Sequence, residues 1–172
     1  MKRSPLSSRS SRAALLPMRG LRPLKIPGVT SFRVLHSPDP QPAHAARIIL
    51  DDITHVLHQA TRQKVAQRDR NTLWWNITSN NLPEKKVVRA WCCRRARGAL
   101  VEALKARGYD REGRVQTDVG VRTSLCGSLQ LLGTEHLITV KFSELQKEAA
   151  FVVDALVNES CKVARASPES GC

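Results

Sequence analysis

The sequence predicts an α+β domain in which a small sheet of three to four strands packs against two long helices and a C-terminal helix. Alternating apolar residues, which are typical of strands, occur in three segments, 30–35, 71–79 and 125–142. Apolar residues three and four positions apart, which are typical of helices, occur in three others, 42–67, 84–107 and 143–159. With 41% hydrophobic but only 4% aromatic residues, the 172-residue chain is expected to bury an aliphatic core.

The first 38 residues form a segment of their own, with eight Lys or Arg, seven Ser and no acid. This composition is typical of a mitochondrial transit peptide. The alternatives are a nuclear import signal or a disordered arm that binds nucleic acid. We therefore divide the chain into a targeting or disordered segment (1–38), a single α+β domain (39–162) and a disordered tail (163–172). Removal of a transit peptide would conflict with the strand expected at 30–35.

The segment 42–67 is expected to form one long helix that starts near Pro42. Its apolar positions predict a buried stripe formed by Ile49, Ile53, Val56 and Ala60. The helix also contains three histidines, His44, His55 and His58. No further ligands or catalytic partners are predicted to converge on them, so we interpret them as solvent-facing or core residues.

The strand at 71–79 alternates two sets of side chains. One face carries Leu73, Trp75 and Ile77, and the opposite face carries Trp74 and its alternate neighbours. If Trp74 faces outward beside a basic helix, it could stack on a nucleobase. The alternative is that Trp74 fills part of the core.

The helix at 84–107 has a clear start and stop. Asn81 is expected to cap its beginning and Gly108 to end it. One side is mostly small, with Val88, Trp91, Cys92, Ala96, Ala99 and Ala103. A partner element could approach that side closely, while basic residues occupy much of the remaining surface. A solvated helix surface is the alternative interpretation of those basic residues.

The last third of the chain is expected to contain a surface loop, a hairpin and a helix. The loop follows Gly108 over about fifteen residues. The hairpin pairs 125–132 with 135–142 through Gly133-Thr134. A capping box at Ser143 and Gln146 then predicts a helix to about Glu159, with a buried stripe of Leu145, Ala149, Val152 and Leu156.

The charge is strongly basic and unevenly distributed. The net charge is +13 and the pI is near 10.3. Residues 1–38 contribute +8, and residues 84–117 contribute +6, from ten basic and four acidic residues. An asymmetric basic surface attracts polyanions, of which nucleic acid is the commonest large one. The candidate phosphate contacts are Lys85, Lys86, Arg89, Arg94, Arg97, Arg111 and Arg114, with Trp74 or Tyr109 stacking on a base.

Catalytic and metal-binding signatures are not found in the sequence. Phosphate-binding glycine loops, nucleophile elbows and zinc-protease motifs do not occur, and the five cysteines lack C-x-x-C spacing. No apolar stretch approaches the roughly 18 residues that span a bilayer. We therefore expect no enzyme activity, cofactor or metal.

Two functions agree with these observations. The first is a small basic protein that contacts RNA phosphates within a mitochondrial ribonucleoprotein. The alternative is a mitochondrial or nuclear assembly or scaffold subunit. Such a subunit would dock a protein partner through the small-residue helix face and the acidic C-terminal helix.

Overall fold

The structure of the protein, a computed structural model, describes residues 20–116 and 124–166, with side chains through residue 160. The α+β class is confirmed: a four-stranded sheet carries helices on one face, with further helices beside it. The strands are β1 (Arg22–Leu24), β2 (Phe32–Ser37), β3 (Leu73–Thr78) and β4 (Gly127–Gly133). The helices are α1 (His44–Asp51), α2 (His58–Gln67), α3 (Lys86–Ala106), α4 (His136–Thr139) and α5 (Phe142–Ala166).

The strand order in the sheet is β1-β2-β4-β3. β2 pairs antiparallel with β1 and with β4, whereas β3 pairs parallel with β4. The register places Val34 beside Leu131, and Leu131 beside Ile77. β2 and β4 therefore occupy the interior of the sheet, and β3 forms one of its two edges.

The core lies between one face of the sheet and the helices α3 and α5. Val34, Leu131 and Ile77 are buried on that face, and Leu100 and Leu145 on the two helices are fully buried. Burying large aliphatic side chains contributes about 1.5–3 kcal/mol each. The core is therefore aliphatic, as the composition predicted.

The small-residue face of α3 is buried within the domain. Cys92, Ala96, Ala99 and Ala103 are all at most 6% exposed, and α3 packs closely against α5. At the far end of this contact, Arg107 donates to both carboxylate oxygens of Asp154, at 2.7 and 2.6 Å. The close approach predicted for these small residues is confirmed, but the partner is a helix of the same chain.

Several predicted elements are confirmed with small shifts of their ends. The strand expected at 30–35 is β2, and the strand at 71–79 contains β3. The helix expected at 84–107 is α3, although it begins after Lys85 without a side-chain cap. The helix at 143–159 is the central part of α5, and its whole predicted buried stripe is buried.

The single long helix predicted over 42–67 is wrong, because two helices separated by residues 52–57 occupy this segment. Asp52 accepts from the backbone N of Thr54 at 3.0 Å and from its hydroxyl at 2.6 Å. Such local bonds compete with helical ones. The predicted buried stripe is also wrong, since Ile53 and Val56 are 82% and 95% exposed and neither helix contains a buried residue.

The hairpin predicted after β4 is also wrong. β4 already pairs with β2 on one side and with β3 on the other, so a following strand has no free edge to join. The backbone N of Thr134 instead donates to Ser31 O at 3.0 Å, and the chain continues into α4. Phe142 is the first residue of α5 and is 38% exposed, not inward.

The predicted division of the chain at residue 38 does not agree with the sheet. Residues 22–37 supply β1 and β2, and β2 lies in the sheet interior. At the other end, α5 continues to Ala166, beyond the predicted domain end at 162. Residues 1–19 and 167–172 of the two predicted tails lie outside the described part of the chain.

The histidine on β2 makes the stability of the fold depend on pH. Burial lowers the pKa of His36, and Glu159 partly opposes this shift by raising it. The unfolded chain therefore binds a proton more readily than the folded one, and stability falls as pH drops from about 6.5 toward the folded pKa. We expect a lower urea midpoint at pH 5.5 than at pH 7.5, and a smaller difference in His36→Gln.

The matched control for this measurement is His55→Gln, in the connection between α1 and α2. It removes a histidine outside the core and is expected to keep the pH dependence of the parent protein. Equal pH dependence in the parent and in His36→Gln would contradict the prediction.

Candidate nucleic-acid interface

A cleft of about 440 Å³ lies at the free edge of β3. Its lining comes from the end of β3, from α3, and from segments that follow α2 and α3: Arg68, Trp75, Asn76, Ile77, Arg97, Arg111 and Glu112. Three guanidinium groups and one carboxylate thus surround one opening, so its charge is positive.

The position of α3 brings Arg97 to this edge. α3 follows β3 and runs back along it, and the thiol of Cys93 lies 3.8 Å from Ile77 O and 3.1 Å from Ser79 Oγ. Residues four apart lie on the same side of a helix. Arg97, one turn after Cys93, therefore reaches the cleft beside the strand.

A tight turn after α3 positions Arg111 and Glu112. The Asp110 carboxylate accepts from the backbone N of Glu112 at 2.7 Å and of Arg114 at 2.8 Å. Gly113, which is buried, adopts a φ of +79° there, a conformation that other residues rarely take. The turn is bound to the strand, because Leu73 N donates to Glu112 O at 2.8 Å.

That last bond also shows which backbone groups of β3 face the cleft. The amide of Leu73 is directed away from β4, and backbone direction along a strand alternates with a period of two. The amides of Trp75 and Ile77 therefore point to the same free edge. Both residues line the cleft, which places backbone donors beside the arginine side chains.

Two tryptophans of β3 each lie under an arginine. Arg68 lies 4.7 Å from the ring centroid of Trp74, and Arg111 lies 5.9 Å from that of Trp75. The Trp75 indole also donates to Arg111 O at 2.7 Å. Burial lowers the pKa of Arg68, and Glu112 opposes the shift, but an arginine remains charged at any physiological pH.

Among the predicted phosphate contacts, Arg97 and Arg111 are brought together in the cleft. Lys85 and Lys86 are exposed at the start of α3, and Arg89 is half-buried there, where it donates to Asn80 O at 3.5 Å. Eight residues of helix place Arg89 about 12 Å from Arg97 along the axis. These three residues extend the basic surface past the far end of β3 and do not line the cleft.

The two remaining predicted cations are positioned differently. Arg94 is exposed on the outer surface of α3 and does not line the cleft. Arg114 forms ion pairs with Asp69 at 3.3 Å and Glu112 at 3.1 Å. Its charge is therefore already compensated, and its role in this arrangement is to hold the turn.

The predicted stacking residues are buried, and the expectation that Trp74 faces outward is wrong. Trp74 is 5% exposed and Tyr109 is 2% exposed. The Trp74 indole donates to Asp69 O at 2.8 Å, and Gln41 and Ala43 lie over that face of the sheet. A base could not reach either ring in this arrangement, since both are covered by protein.

The half-exposed tryptophan is Trp75, which the alternation in β3 placed on the core side. Because β3 is an edge strand, the core covers only part of this ring and the rest reaches the cleft. Sequence reasoning also missed Arg68 and Asn76 as lining residues. No sequence signal marks them, since their role depends on the position of β3 at the edge.

A separate polar cluster joins β2, α4 and α5. Glu148, which is 7% exposed, accepts from Ser31 N at 2.9 Å and from the Thr30 hydroxyl at 3.0 Å. Ser31 Oγ lies 3.1 Å from His136 Nδ1. Ser31 is fully buried and Glu148 bonds the serine backbone, so this set does not have the accessible hydroxyl of a hydrolase.

Within residues 20–116 and 124–166, no three or more His, Cys, Asp or Glu side chains are grouped closely enough to hold a metal ion. The helices in the same ranges are all too short or too polar to cross a membrane.

Comparison of the chain with protein-family models, with curated proteins and with solved structures finds no match.

Proposed function

We propose that the protein is a small, basic, non-catalytic nucleic-acid-binding protein that contacts RNA phosphates within a mitochondrial ribonucleoprotein. One observation carries the proposal. Arg68, Arg97 and Arg111, from three separate segments, converge on one cleft beside a half-exposed tryptophan. Cations that only keep a surface hydrated have no reason to converge in this way.

The cleft offers the contacts that a nucleic-acid backbone uses. Arginine binds phosphate oxygens through two parallel N–H donors, and backbone amides often add further phosphate contacts. The guanidinium of Arg97 and the free-edge amides of β3 line the same opening. The overall charge of +13 would raise the rate of encounter with any polyanion.

A single-stranded ligand agrees best with this lining. The Trp75 ring is accessible only at the edge of the sheet, where an unpaired base could stack on it. Base stacking on an aromatic side chain is worth about 1–3 kcal/mol where it occurs. A paired base inside a duplex would have no free face for such a contact.

The proposal predicts a specific effect of removing two cleft arginines. Arg97→Ala combined with Arg111→Ala is expected to weaken binding of a twelve-nucleotide single-stranded RNA by roughly ten- to a hundredfold, because charged hydrogen bonds to phosphate are lost. The slope of log affinity against log salt is expected to fall by about 1.4, since each phosphate contact contributes about 0.7. Fluorescence anisotropy between 50 and 200 mM salt measures both quantities.

The matched control is Arg22→Ala combined with Lys25→Ala. Both residues are exposed at the opposite edge of the sheet, and their removal subtracts the same charge. It is expected to weaken binding only a few-fold through the general field. Equal losses in the two double variants would reduce the protein to a generic polycation and contradict the proposal.

The mitochondrial part of the proposal depends on the composition of the N-terminal segment, with the nucleus as the alternative location. A test by truncation should remove residues 1–19 and not 1–38, because β1 and β2 belong to the sheet. Tagged protein without residues 1–19 is expected to leave the mitochondrion. Unchanged mitochondrial staining would contradict this part, and nuclear staining of the full chain would favour the alternative.

A second candidate function is an assembly subunit that acts through protein contacts. The predicted docking face of α3 is buried against α5, so a partner would need another surface. The α1–α2 segment offers one, because Ile48, Ile53 and Val56 are 55%, 82% and 95% exposed. Loss of a stable partner in Ile53→Ser with Val56→Ser, at unchanged RNA affinity, would favour this candidate.

A further inference from the structure

One buried polar atom has no partner within the described residues. Gln130, in the interior strand β4, is only 8% exposed, and its Oε1 accepts no hydrogen bond from them. Buried polar groups are nearly always hydrogen-bonded, and an unsatisfied one costs about 1–3 kcal/mol. An external donor that reached this oxygen would recover that free energy.

The atom lies at a small cavity on the sheet face opposite the core. The cavity has a volume of about 20 Å³, and its lining includes Gln130, Ser128, Trp74 and Asn76. This is room for one group of the size of a water molecule. The exocyclic amino group of a nucleobase is about that large.

The cavity lies next to the arginine cleft. Arg68, Trp75 and Asn76 line both openings. Asn76 is the direct neighbour of Gln130 across β3 and β4, so their side chains are on the same face of the sheet. Asn76 is half-buried, and its carboxamide makes no hydrogen bond within the described residues. Two free carboxamides therefore lie side by side near the proposed phosphate contacts.

We propose that Gln130 and Asn76 recognise the amino edge of an adenine in the bound strand, an inference that rests on the proposed function. Gln130 Oε1 accepts from the adenine amino group inside the cavity, and the Asn76 amide donates to the adjacent ring nitrogen. Asparagine and glutamine pair with adenine through such a donor and acceptor. Uracil and guanine present a carbonyl oxygen at the corresponding edge, which would face another acceptor.

The test uses a nine-nucleotide uridine oligonucleotide with one central adenosine. The comparison ligand carries purine riboside at that position and lacks only the amino group. The protein is expected to bind the adenosine ligand roughly tenfold tighter. In Gln130→Met, which keeps the volume but removes the acceptor, affinity for the adenosine ligand is expected to fall to that for the purine ligand. A preference that survives in Gln130→Met would overturn the inference.

Thermal unfolding of the free protein separates recognition from misfolding. Because Gln130→Met removes an unsatisfied buried atom, its Tm is expected to equal or exceed that of the parent. Gln130→Leu provides a second variant, with the same expected loss of preference. If both variants unfold at lower temperature while keeping the preference, Oε1 has a structural partner and the inference is wrong.

The outcomes also separate this inference from the proposed function. Equal, salt-sensitive binding of both oligonucleotides by the parent protein overturns the adenine site and leaves the phosphate cleft in place. No binding of either at 50 mM salt overturns both. Adenosine monophosphate that binds as tightly as the adenosine oligonucleotide identifies a free nucleotide as the ligand and overturns recognition of a strand.

Discussion

Replacing Gly127 with alanine is expected to lower the free energy of unfolding by about 3–5 kcal/mol. Gly127 begins β4 with a φ of +95°, where a side chain costs about 1–3 kcal/mol. An added Cβ would also lie 2.8 Å from Pro38 O and closer still to Ser37 O. Both contacts are with backbone oxygens of the segment leaving β2, so relief would require moving an interior strand.

The matched control is Gly98→Ala in the middle of α3. No atom lies within 4 Å of a Cβ added at Gly98, and alanine has the higher helix propensity. The expected result is a gain of about 0.5–1 kcal/mol. Urea unfolding of the two variants measures the contrast, and a Gly127→Ala protein as stable as the parent would contradict the described strand geometry.

Replacing Leu100 with alanine is expected to cost about 2–5 kcal/mol. Leu100 is fully buried on α3, in the core between the sheet and α5. The cost combines the lost transfer of the side chain from water with the cavity left behind. Such a loss is a large part of the roughly 5–15 kcal/mol that stabilises a typical domain.

Leu57→Ala provides the comparison for this prediction. The deletion is the same, but Leu57 lies between α1 and α2 and is 53% exposed. Its expected effect on urea unfolding is within about 0.5 kcal/mol. Similar losses in the two variants would mean that the α1–α2 segment belongs to the core, as the sequence pattern first indicated.

The elements that could be predicted are those whose pattern agrees with their packing. α3 and α5 each show a continuous apolar face, and those faces are the ones buried against the sheet. β3 contains alternating β-forming residues, and it pairs as a strand. At these places local propensity and tertiary contact act in the same direction.

The wrong predictions have a common physical cause, which is that a local pattern does not identify its neighbours. Residues 42–67 have an apolar stripe, but Asp52 interrupts the helix and no element packs over Ile53. Residues 135–142 alternate like a strand, but both sides of β4 are occupied. Only the sheet order reveals either fact.

The candidate site was predictable in its charge but not in its shape. Arg97 and Arg111 were identified from the basic composition of α3 and its following turn. Arg68 joins them only because β3 is an edge strand. The same fact exchanges the expected roles of Trp74, which is covered, and Trp75, which reaches the cleft.

The three tryptophans permit one direct test of the cleft. Their indole N–H signals can be followed by ¹H–¹⁵N NMR while a single-stranded RNA is added at 50 mM salt. The proposed function predicts that Trp75, whose indole is bonded to Arg111 in the cleft, shifts most. Trp91 is 43% exposed and lies under Arg95, outside the cleft lining, and it should remain unmoved. A shift of Trp91 with Trp75 unchanged would contradict the cleft as the RNA-binding site.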